Sequence, residues 1–247
     1  DPNNDKHVYA LSVGVQDSKD GGKTWASAFR FGGDNHALWI DPKDSNHMLL
    51  DYDHGIGVTF DGGKAWYRPD HLPMGQFYAI DYDMSIPYRV AGGLQDNGSV
   101  MGPSTKQGGA AIRLGDWTTV GGGDGMYNVF DKKTNRFLYN ESQFGPLSRL
   151  DLVTGERKSI AYRGGNMKRF NWNAPILVSI HNGDVVYHCG NIVVKSTNRG
   201  ESWTEISPEL TTNDAAKMPD GRGGDGNIQY CTITTIDESP LQAGLLW

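Results

Sequence analysis

The chain has 247 residues, 37% of them hydrophobic, which is enough to bury a core and excludes a disordered tail. It has 23 Lys and Arg against 29 Asp and Glu, and the formal charge of −6 has the wrong sign for gripping a nucleic-acid backbone. No apolar run approaches the ~20 residues of a membrane span. The 33 glycines, 7 tryptophans and 11 tyrosines favour short strands and tight turns, so we expect an all-β protein.

A short segment recurs along the chain. It occurs at 18–25 (Ser-Lys-Asp-Gly-Gly-Lys-Thr-Trp), at 59–66 (Thr-Phe-Asp-Gly-Gly-Lys-Ala-Trp) and at 196–203 (Ser-Thr-Asn-Arg-Gly-Glu-Ser-Trp). The first two copies lie about 40 residues apart, a period typical of structural repeats. A weaker copy ends at Trp117.

Each repeat is predicted to contain four strands, because runs of β-branched and aromatic residues alternate with Gly, Asp, Asn and Pro clusters. In the clearest repeat the predicted strands are Ala37–Asp41, His47–Asp53, Ile56–Phe60 and Ala65–Arg68. The first strands of later repeats are predicted at Phe77–Asp81, Met126–Phe130, Pro175–Ile180 and Cys231–Ile236. Four-stranded units in tandem are typical of a β-propeller.

The repeats divide the chain into blades. We predict a partial blade at 1–31, whole blades at 32–74, 75–120, 121–165 and 166–228, and the start of a further blade at 229–247. If these strands closed into a ring, Leu241–Trp247 would remain as a surplus apolar strand with an unpaired edge, which is an aggregation hazard. We therefore expect an incomplete fragment of a larger propeller, whose remaining blades come from another segment or chain of the same protein.

The repeated pattern S/T-x-D-x-G-x-T/S-W resembles the Asp-box, or bacterial neuraminidase repeat. With the stretches 93–99, 121–125 and 195–200, the sequence is similar to glycosyl-hydrolase-like and sortilin-like propellers, including the xyloglucanase type. The resemblance implies a secreted, periplasmic or cell-surface protein with a polysaccharide or peptide ligand. The sequence lacks an F/Y-R-I-P motif and an assignable arginine triad, which disfavours sialidase activity.

The repeated segments are interpreted as structural. The acid or amide of each copy would accept hydrogen bonds from turn N–H groups, and its Trp would be buried between sheets, opposite the ligand site. These residues are Asp20, Asp61 and Asn198, and Trp25, Trp66 and Trp203. Trp39, inside a predicted first strand, is also expected in the core.

A ligand site is predicted where the loops before each first strand meet those between the second and third strands. Its candidate catalytic carboxylates are Asp34, Asp96, Asp124 and Asp225. Glycoside hydrolysis needs two carboxyl groups, ~5–5.5 Å apart for retention or ~6.5–9.5 Å for inversion, and we expect Asp34, Asp124 and Asp225 to approach one another. In the alternative, an Asp in such a turn bonds only the neighbouring backbone.

Further residues of these loops are predicted to contact the ligand. They are His36, Gln95, Asn97, Glu141, Gln143 and Trp172. His36 has three readings: a proton shuttle, a metal ligand or a structural histidine. Asp34, Asp51 and Asp53 would suit calcium, but no EF-hand spacing is present, so no metal ion and no cofactor are predicted.

Two functions remain open beside a purely structural propeller. The first is a secreted glycosyl-hydrolase-like propeller that acts on or binds polysaccharide through the mouth carboxylates, and any enzyme here would be a glycoside hydrolase. The alternative is a sortilin-like propeller that binds peptide or protein without catalysis. The fold does not choose between them. A carboxylate pair with one raised pKa would favour the enzyme.

Overall fold

The computed structural model describes residues 1–69, 75–218 and 229–247. The chain divides into two compact units, Asp1–Met74 and Gly75–Trp247, each described here by itself. Regular structure in the described residues is antiparallel β apart from short 3₁₀ helices at Gln107–Gly109, Leu114–Asp116 and Ala215–Lys217. The predicted all-β class is confirmed.

The first unit contains two three-stranded sheets, each running up and down in chain order. Its strands are β1 (Val8–Leu11), β2 (Val15–Ser18), β3 (Ala26–Phe29), β4 (Asn35–Asp41), β5 (Asp44–Tyr52) and β6 (Gly55–Thr59).

The two sheets of the first unit share one apolar core around Val15, Leu50 and Tyr52. Phe31, just after the first sheet, stacks on Trp66 with ring centroids 4.8 Å apart and an interplanar angle of 3°. Gly57 lies beneath this pair, where a Cβ would collide with the Phe31 ring. The glycine therefore permits the close approach of two aromatic rings to the backbone.

The predicted fourth strand Ala65–Arg68 is wrong in extent, because the described residues contain only an isolated bridge between Val58 and Tyr67. Both backbone hydrogen bonds of that bridge form, at 2.7 and 2.9 Å. Pro69 follows and has no N–H with which to extend the pairing.

Trp39 is not in the core; 46% of its surface is exposed. Alternation along β4 directs Leu38 to the core, so Trp39 lies on the opposite face of the strand. There it meets His47 edge-on at 5.5 Å, and His47 stacks on Phe60 at 4.6 Å. The second sheet therefore carries exposed rings on this face.

The second unit contains three four-stranded sheets. The first comprises β7 (Phe77–Tyr82), β8 (Arg89–Leu94), β9 (Gly98–Pro103) and β10 (Thr118–Gly121). The second comprises β11 (Gly125–Phe130), β12 (Phe137–Ser142), β13 (Leu147–Asp151) and β14 (Arg157–Ser159). The third comprises β15 (Ile176–Val178), β16 (Val186–Cys189), β17 (Val193–Ser196) and β18 (Thr204–Glu205).

Successive sheets of the second unit pack face to face, with their first strands as neighbours. Strand β11 contacts β7 on one side and β15 on the other. Phe130 and Leu138 are buried against Ala91 of the first sheet, and Tyr139 is buried with Ile176 of the third. Up-and-down four-stranded sheets packed through their faces, with first strands innermost, are propeller blades, as the sequence predicts.

The predicted strand Cys231–Ile236 does not form among the described residues. Cys231 has a φ of 56°, which interrupts an extended run. The segment instead packs Ile233 and Ile236 against the third sheet, and the Ile233 N–H donates to the Gly190 carbonyl at 2.7 Å. A single bridge joins Glu238 and Leu246 near the end.

The three repeated segments close as self-contained turns. In the first, Asp20 Oδ1 accepts the N–H groups of Lys23 at 3.0 Å and Thr24 at 2.9 Å, while Ser18 Oγ accepts that of Gly22 at 2.8 Å. Gly22 has a φ of 90°, a conformation that favours glycine. The predicted structural role of these segments is confirmed.

The second and third turns repeat this geometry. Asp61 Oδ1 accepts the N–H groups of Lys64 at 3.0 Å and Ala65 at 2.9 Å. In the third turn, Asn198 Oδ1 accepts the N–H of Ser202 at 2.9 Å. An amide oxygen thus replaces the carboxylate oxygen without loss of the turn.

The prediction that all three turn tryptophans are buried is wrong for Trp25, which is 42% exposed. Trp203 packs against two apolar clusters and donates from Nε1 to the Ile160 carbonyl at 2.7 Å. Trp66 is likewise covered, by Phe29 at the end of the preceding sheet and by Phe31 just after it. Trp25 has no such neighbour among the described residues, and its Nε1 bonds back to the Gly22 carbonyl of its own turn.

Candidate functional site

Loops from the three sheets of the second unit meet at one end of the blades. We call this cluster the rim and define it by residues 95–97, 121–124, 143–145 and 171–173, together with Glu141 near the end of β12. These loops follow β8, β10 and β12 or precede β15. Backbone bonds from Gly98 N–H to the Gly123 carbonyl at 2.9 Å and from Phe144 N–H to the Trp172 carbonyl at 3.2 Å join them across blades. The rim thus brings together seven predicted site residues: Gln95, Asp96, Asn97, Asp124, Glu141, Gln143 and Trp172.

Asp124 links the loops of two adjacent sheets. Its Oδ1 accepts the Asp96 N–H at 2.6 Å, and its own N–H donates to Gln143 Oε1 at 2.9 Å. The Gln143 N–H returns a bond to the Asp124 carbonyl at 3.2 Å. Asp124 is buried, and Oδ1 of its carboxylate bonds the backbone of a neighbouring loop, as in the turn interpretation.

The aromatic part of the rim centres on Trp172. Its Nε1 donates to the Tyr78 hydroxyl at 3.2 Å, which donates to Gln95 Oε1 at 2.8 Å. The Phe144 ring meets Trp172 edge-on at 5.0 Å. Asn97 is exposed at the loop tip, where its side-chain amide donates to the Gln95 carbonyl at 3.1 Å. These contacts fix the orientation of Trp172 and Gln95.

Glu141 is the carboxyl group most perturbed by its surroundings. It is 1% exposed and accepts the N–H groups of Gly145 at 3.2 Å, Ala174 at 3.3 Å and Tyr127 at 3.4 Å. Burial raises the pKa of Glu141 well above its ordinary value, against the opposing effect of those N–H donors. A raised carboxyl pKa suits a general acid, but this group is enclosed where three loops and strands join.

Asp34 and His36 lie in the first unit, in the loop and strand that lead into the second sheet. His36 Nε2 is 2.5 Å from Asp53 Oδ1, and this hydrogen bond, opposed by a smaller desolvation effect, raises the pKa of the exposed imidazole. The Asp34 carbonyl accepts the Asp53 N–H at 3.3 Å. Asp34 belongs to the first unit and Asp124 to the second, so the approach of these two residues stays a prediction. Asp225 lies outside the described residues.

A groove runs along the first strands of the three sheets in the second unit. Its volume is about 430 Å³. Aliphatic side chains line it, namely Ile80 from β7, Val129 from β11, and Leu177 and Ile180 from β15 and the loop after it. At one end, Lys132 Nζ pairs with Asp81 Oδ1 at 2.8 Å and lies over the Tyr82 ring at 4.4 Å.

Sequence reasoning missed the groove. It assigned the ligand to the loops and gave the first strands no part in binding, whereas 68% of Ile80, in the first strand β7, is exposed. A first strand of a blade lies next to the propeller axis, so one of its two alternating faces can be open. The alternation of side chains between the two faces of each first strand was therefore the sequence signal that could have predicted the groove.

The described residues, 1–69, 75–218 and 229–247, contain neither a cluster of metal ligands nor a membrane-spanning helix. No group of three or more His, Cys, Asp or Glu side chains is placed to hold a metal ion. No helix there is long and apolar enough to cross a membrane.

Comparison with known proteins places the chain beside several propellers. No family model matches the sequence, and no curated protein matches it. The GH74 xyloglucanase from Xanthomonas campestris aligns with 14% identity and a TM-score of 0.38, over 89% of this chain and 39% of that one. Citrobacter koseri AztD aligns with 16% identity and a TM-score of 0.41, over 80% of this chain and 52% of that one.

The structure of YCF48 bound to D1 peptide aligns with 15% identity and a TM-score of 0.35, over 78% of this chain and 61% of that one. All three are β-propeller proteins, and this chain spans less than two thirds of each. At these scores, the assignment of propeller blades rests on the sheet order and face packing described above.

Proposed function

We propose that the second unit binds an extended peptide segment along the groove and does not hydrolyse a glycan. The observation that carries this proposal is the groove itself, about 430 Å³ in volume and lined by Ile80, Val129 and Leu177. Burial of apolar side chains there would contribute about 25 cal/mol per Å² of apolar surface removed from water. Such a lining suits peptide side chains better than the hydroxyl groups of a sugar.

The polar end of the groove supports the same ligand class. Lys132 and Asp81 form an ion pair there, and Lys133 and Asp237 add one charge of each sign to the lining. Groups of both signs can orient a peptide that carries both donors and acceptors.

The condition of the rim carboxylates supports binding over hydrolysis. Glycoside hydrolysis needs a protonated acid and a carboxylate that both face the scissile bond. Asp124 is occupied by the Asp96 N–H, and Glu141 is enclosed by three backbone donors. Both oxygens of Glu141 and Oδ1 of Asp124 therefore serve to join loops, which favours a structural role for these groups over a role as general acid or nucleophile.

Polysaccharide binding at the rim is a second candidate, favoured by Trp172 and its amide neighbours. Its indole is half-buried, with the Gln95 amide tied to it through Tyr78. Aromatic rings that present an apolar face beside polar groups suit sugar rings. This mode needs no catalytic carboxylate.

The peptide proposal is tested by selection from a displayed library of random linear peptides, followed by fluorescence anisotropy of a selected peptide. Ile80→Asp places a charge in the groove and should weaken binding about tenfold or more, since each 1.4 kcal/mol is a factor of ten. Ile86→Asp is the matched control, because Ile86 is 99% exposed in the same unit and does not line the groove. Equal effects of the two changes would contradict the proposal, as would selection of no peptide.

The second candidate has its own test, affinity electrophoresis with a panel of neutral polysaccharides. Trp172→Ala should abolish retardation, whereas Trp39→Ala, at an exposed tryptophan of the first unit, should leave it unchanged. No retardation of the unaltered protein by any polysaccharide would remove this candidate.

A further inference from the structure

A second pocket lies beside the rim. Its volume is about 260 Å³. We call it the cationic pocket and define it by Phe144, Arg163, Met167, Lys168, Arg169 and Phe170, which line it with Gly164 and Gln229. Its described lining contains three basic side chains and no acidic one, in a chain whose formal charge is −6. Overall composition does not predict this local excess of positive charge.

Arg169 gives the pocket a fixed guanidinium group. Its side chain is 6% exposed, and it is held by hydrogen bonds from Nε to the Cys231 carbonyl at 3.0 Å and from Nη2 to Glu209 Oε2 at 2.9 Å. A longer bond from Nη2 reaches Thr211 Oγ1 at 3.4 Å. These bonds use Nε and Nη2, and Nη1 has no acceptor among the described residues. A guanidinium held in this way is a preorganised donor for a carboxylate.

Two exposed cations complete the charge of the pocket. Lys168 Nζ donates only to a neutral acceptor, the Gly165 carbonyl, at 2.8 Å. Arg163 forms no ion pair within the described part of the chain. Within the described residues, neither of these two cations forms an ion pair, although the charge of Lys168 contributes to the lowered pKa of the nearby Glu205. The third cation, Arg169, is partly neutralised by Glu209.

The remaining wall is apolar. Phe144 and Phe170 approach it from different loops, and Met167 lies with Phe170 in a buried cluster. Behind Phe170, the fully buried His188 stacks on its ring at 4.9 Å. Burial, aided by the charge of Arg163, lowers the pKa of His188 to about 3, so this histidine is neutral and adds no charge.

We propose that the cationic pocket binds a small monocarboxylate with an aromatic or aliphatic body. The carboxylate would face Arg169 Nη1, Arg163 and Lys168, and the apolar body would lie against Phe144, Met167 and Phe170. At about 260 Å³ the pocket is smaller than the ~300–1,000 Å³ of drug-sized sites, which suits a compact ligand. This site is separate from the groove and does not depend on peptide binding there.

The test is isothermal titration of the protein with phenylacetate and with its neutral analogue phenylacetamide. Phenylacetate should bind at least about tenfold more tightly, because only it carries the charge that the three cations recognise. Arg163→Gln and Lys168→Gln, both at exposed positions, should each weaken phenylacetate binding several-fold without a change in melting temperature. Lys43→Gln, at an exposed lysine outside the linings of both the groove and the cationic pocket, should leave phenylacetate binding unchanged.

Four outcomes would overturn the proposal: no binding of phenylacetate, equal binding of phenylacetamide, no effect of Arg163→Gln and Lys168→Gln, or competition by inorganic phosphate as effective as that by phenylacetate. The last result would show that the pocket recognises an anion without regard to an apolar body. Arg169→Lys is a further test, since it keeps the positive charge but removes the planar set of N–H donors of the guanidinium group. It should weaken phenylacetate binding more than it lowers the melting temperature.

Discussion

The repeated turns and the rim use the same chemistry, a side-chain oxygen that accepts backbone N–H groups, over different distances along the chain. Asp20 and Asp61 accept N–H groups three and four residues ahead. Asp124 and Glu141 accept N–H groups from loops 28 and 33 residues away, at Asp96 and Ala174. A turn is therefore complete within one repeat, whereas the rim exists only when neighbouring blades have packed.

This difference separates two kinds of carboxylate that look alike in the sequence. A turn carboxylate is half-buried and has a lowered pKa, and its removal loosens one loop. A rim carboxylate is buried, and its removal leaves N–H donors of several loops without an acceptor, which costs more because a buried unsatisfied donor costs about 1–3 kcal/mol. The predictions below test the contrast, beginning with the largest expected effect.

Glu141→Ala should destabilise the second unit by about 2–6 kcal/mol, because the N–H groups of Tyr127 and Ala174 lose their acceptor, whereas that of Gly145 keeps the Ser142 carbonyl. Denaturant unfolding gives the free energy, and hydrogen exchange shows where protection is lost. Glu156→Ala, at an exposed glutamate of the same unit, is the control and should have little effect. Equal stability of the two variants would show that Glu141 does not join the loops.

Trp203→Ala should cost about 2–4 kcal/mol, near the range for a large buried aromatic, because Trp203 packs in two apolar clusters. Trp25→Ala should cost less, since that ring is 42% exposed. Thermal unfolding of the two variants compares equivalent positions of two turns. A larger effect at Trp25 would mean that the exposed ring has a partner beyond the described residues.

The two kinds of carboxylate should respond oppositely to pH. The pKa of Glu141 is raised in the folded state, so the folded protein binds the extra proton and the second unit loses stability as pH rises above the ordinary value of 4.5. The pKa of Asp20 is lowered to about 2, chiefly by hydrogen bonds from Thr24. Its contribution to the first unit is present above 3.8 and is lost as pH falls toward 2.

Hydrogen exchange as a function of pH measures both slopes in one protein. Glu141→Gln should flatten the first slope and Asp20→Asn the second, each without affecting the other unit. If the stability of both units changed with pH in the same direction, the expected contrast between Glu141 and Asp20 would be wrong.

The smallest effect is expected at the exposed pair of His36 and Asp53. Hydrogen bonding to Asp53 raises the pKa of His36, so its small contribution is present below the ordinary value of 6.5 and is lost as pH rises through the higher folded-state pKa. An NMR titration of the imidazole should show a raised pKa that Asp53→Asn returns toward 6.5. An unchanged titration midpoint of His36 in Asp53→Asn would show that Asp53 does not raise the pKa of this imidazole.

The features predicted correctly from the sequence are those that depend on near neighbours. The turn at Asp61 follows from its own Thr, Gly and Trp, and strand β6 begins within one residue of its predicted start. The burial of Trp39 was predicted wrongly because apolar character does not reveal which face of β4 meets the core. The role of Glu141 depends on Gly145 and Ala174, which reach it only after the sheets pack. No local pattern encodes that convergence.

The second position of each repeated turn has a practical consequence. Lys19, Phe60 and Thr197 occupy it, and all three are exposed. None of the hydrogen bonds that close the turns involves their side chains. A cysteine introduced at 19 or 197 could therefore carry a fluorophore without disturbing the turn. With a donor fluorophore at one site and an acceptor fluorophore at the other, energy transfer would report changes in the distance between the two units while ligand is added.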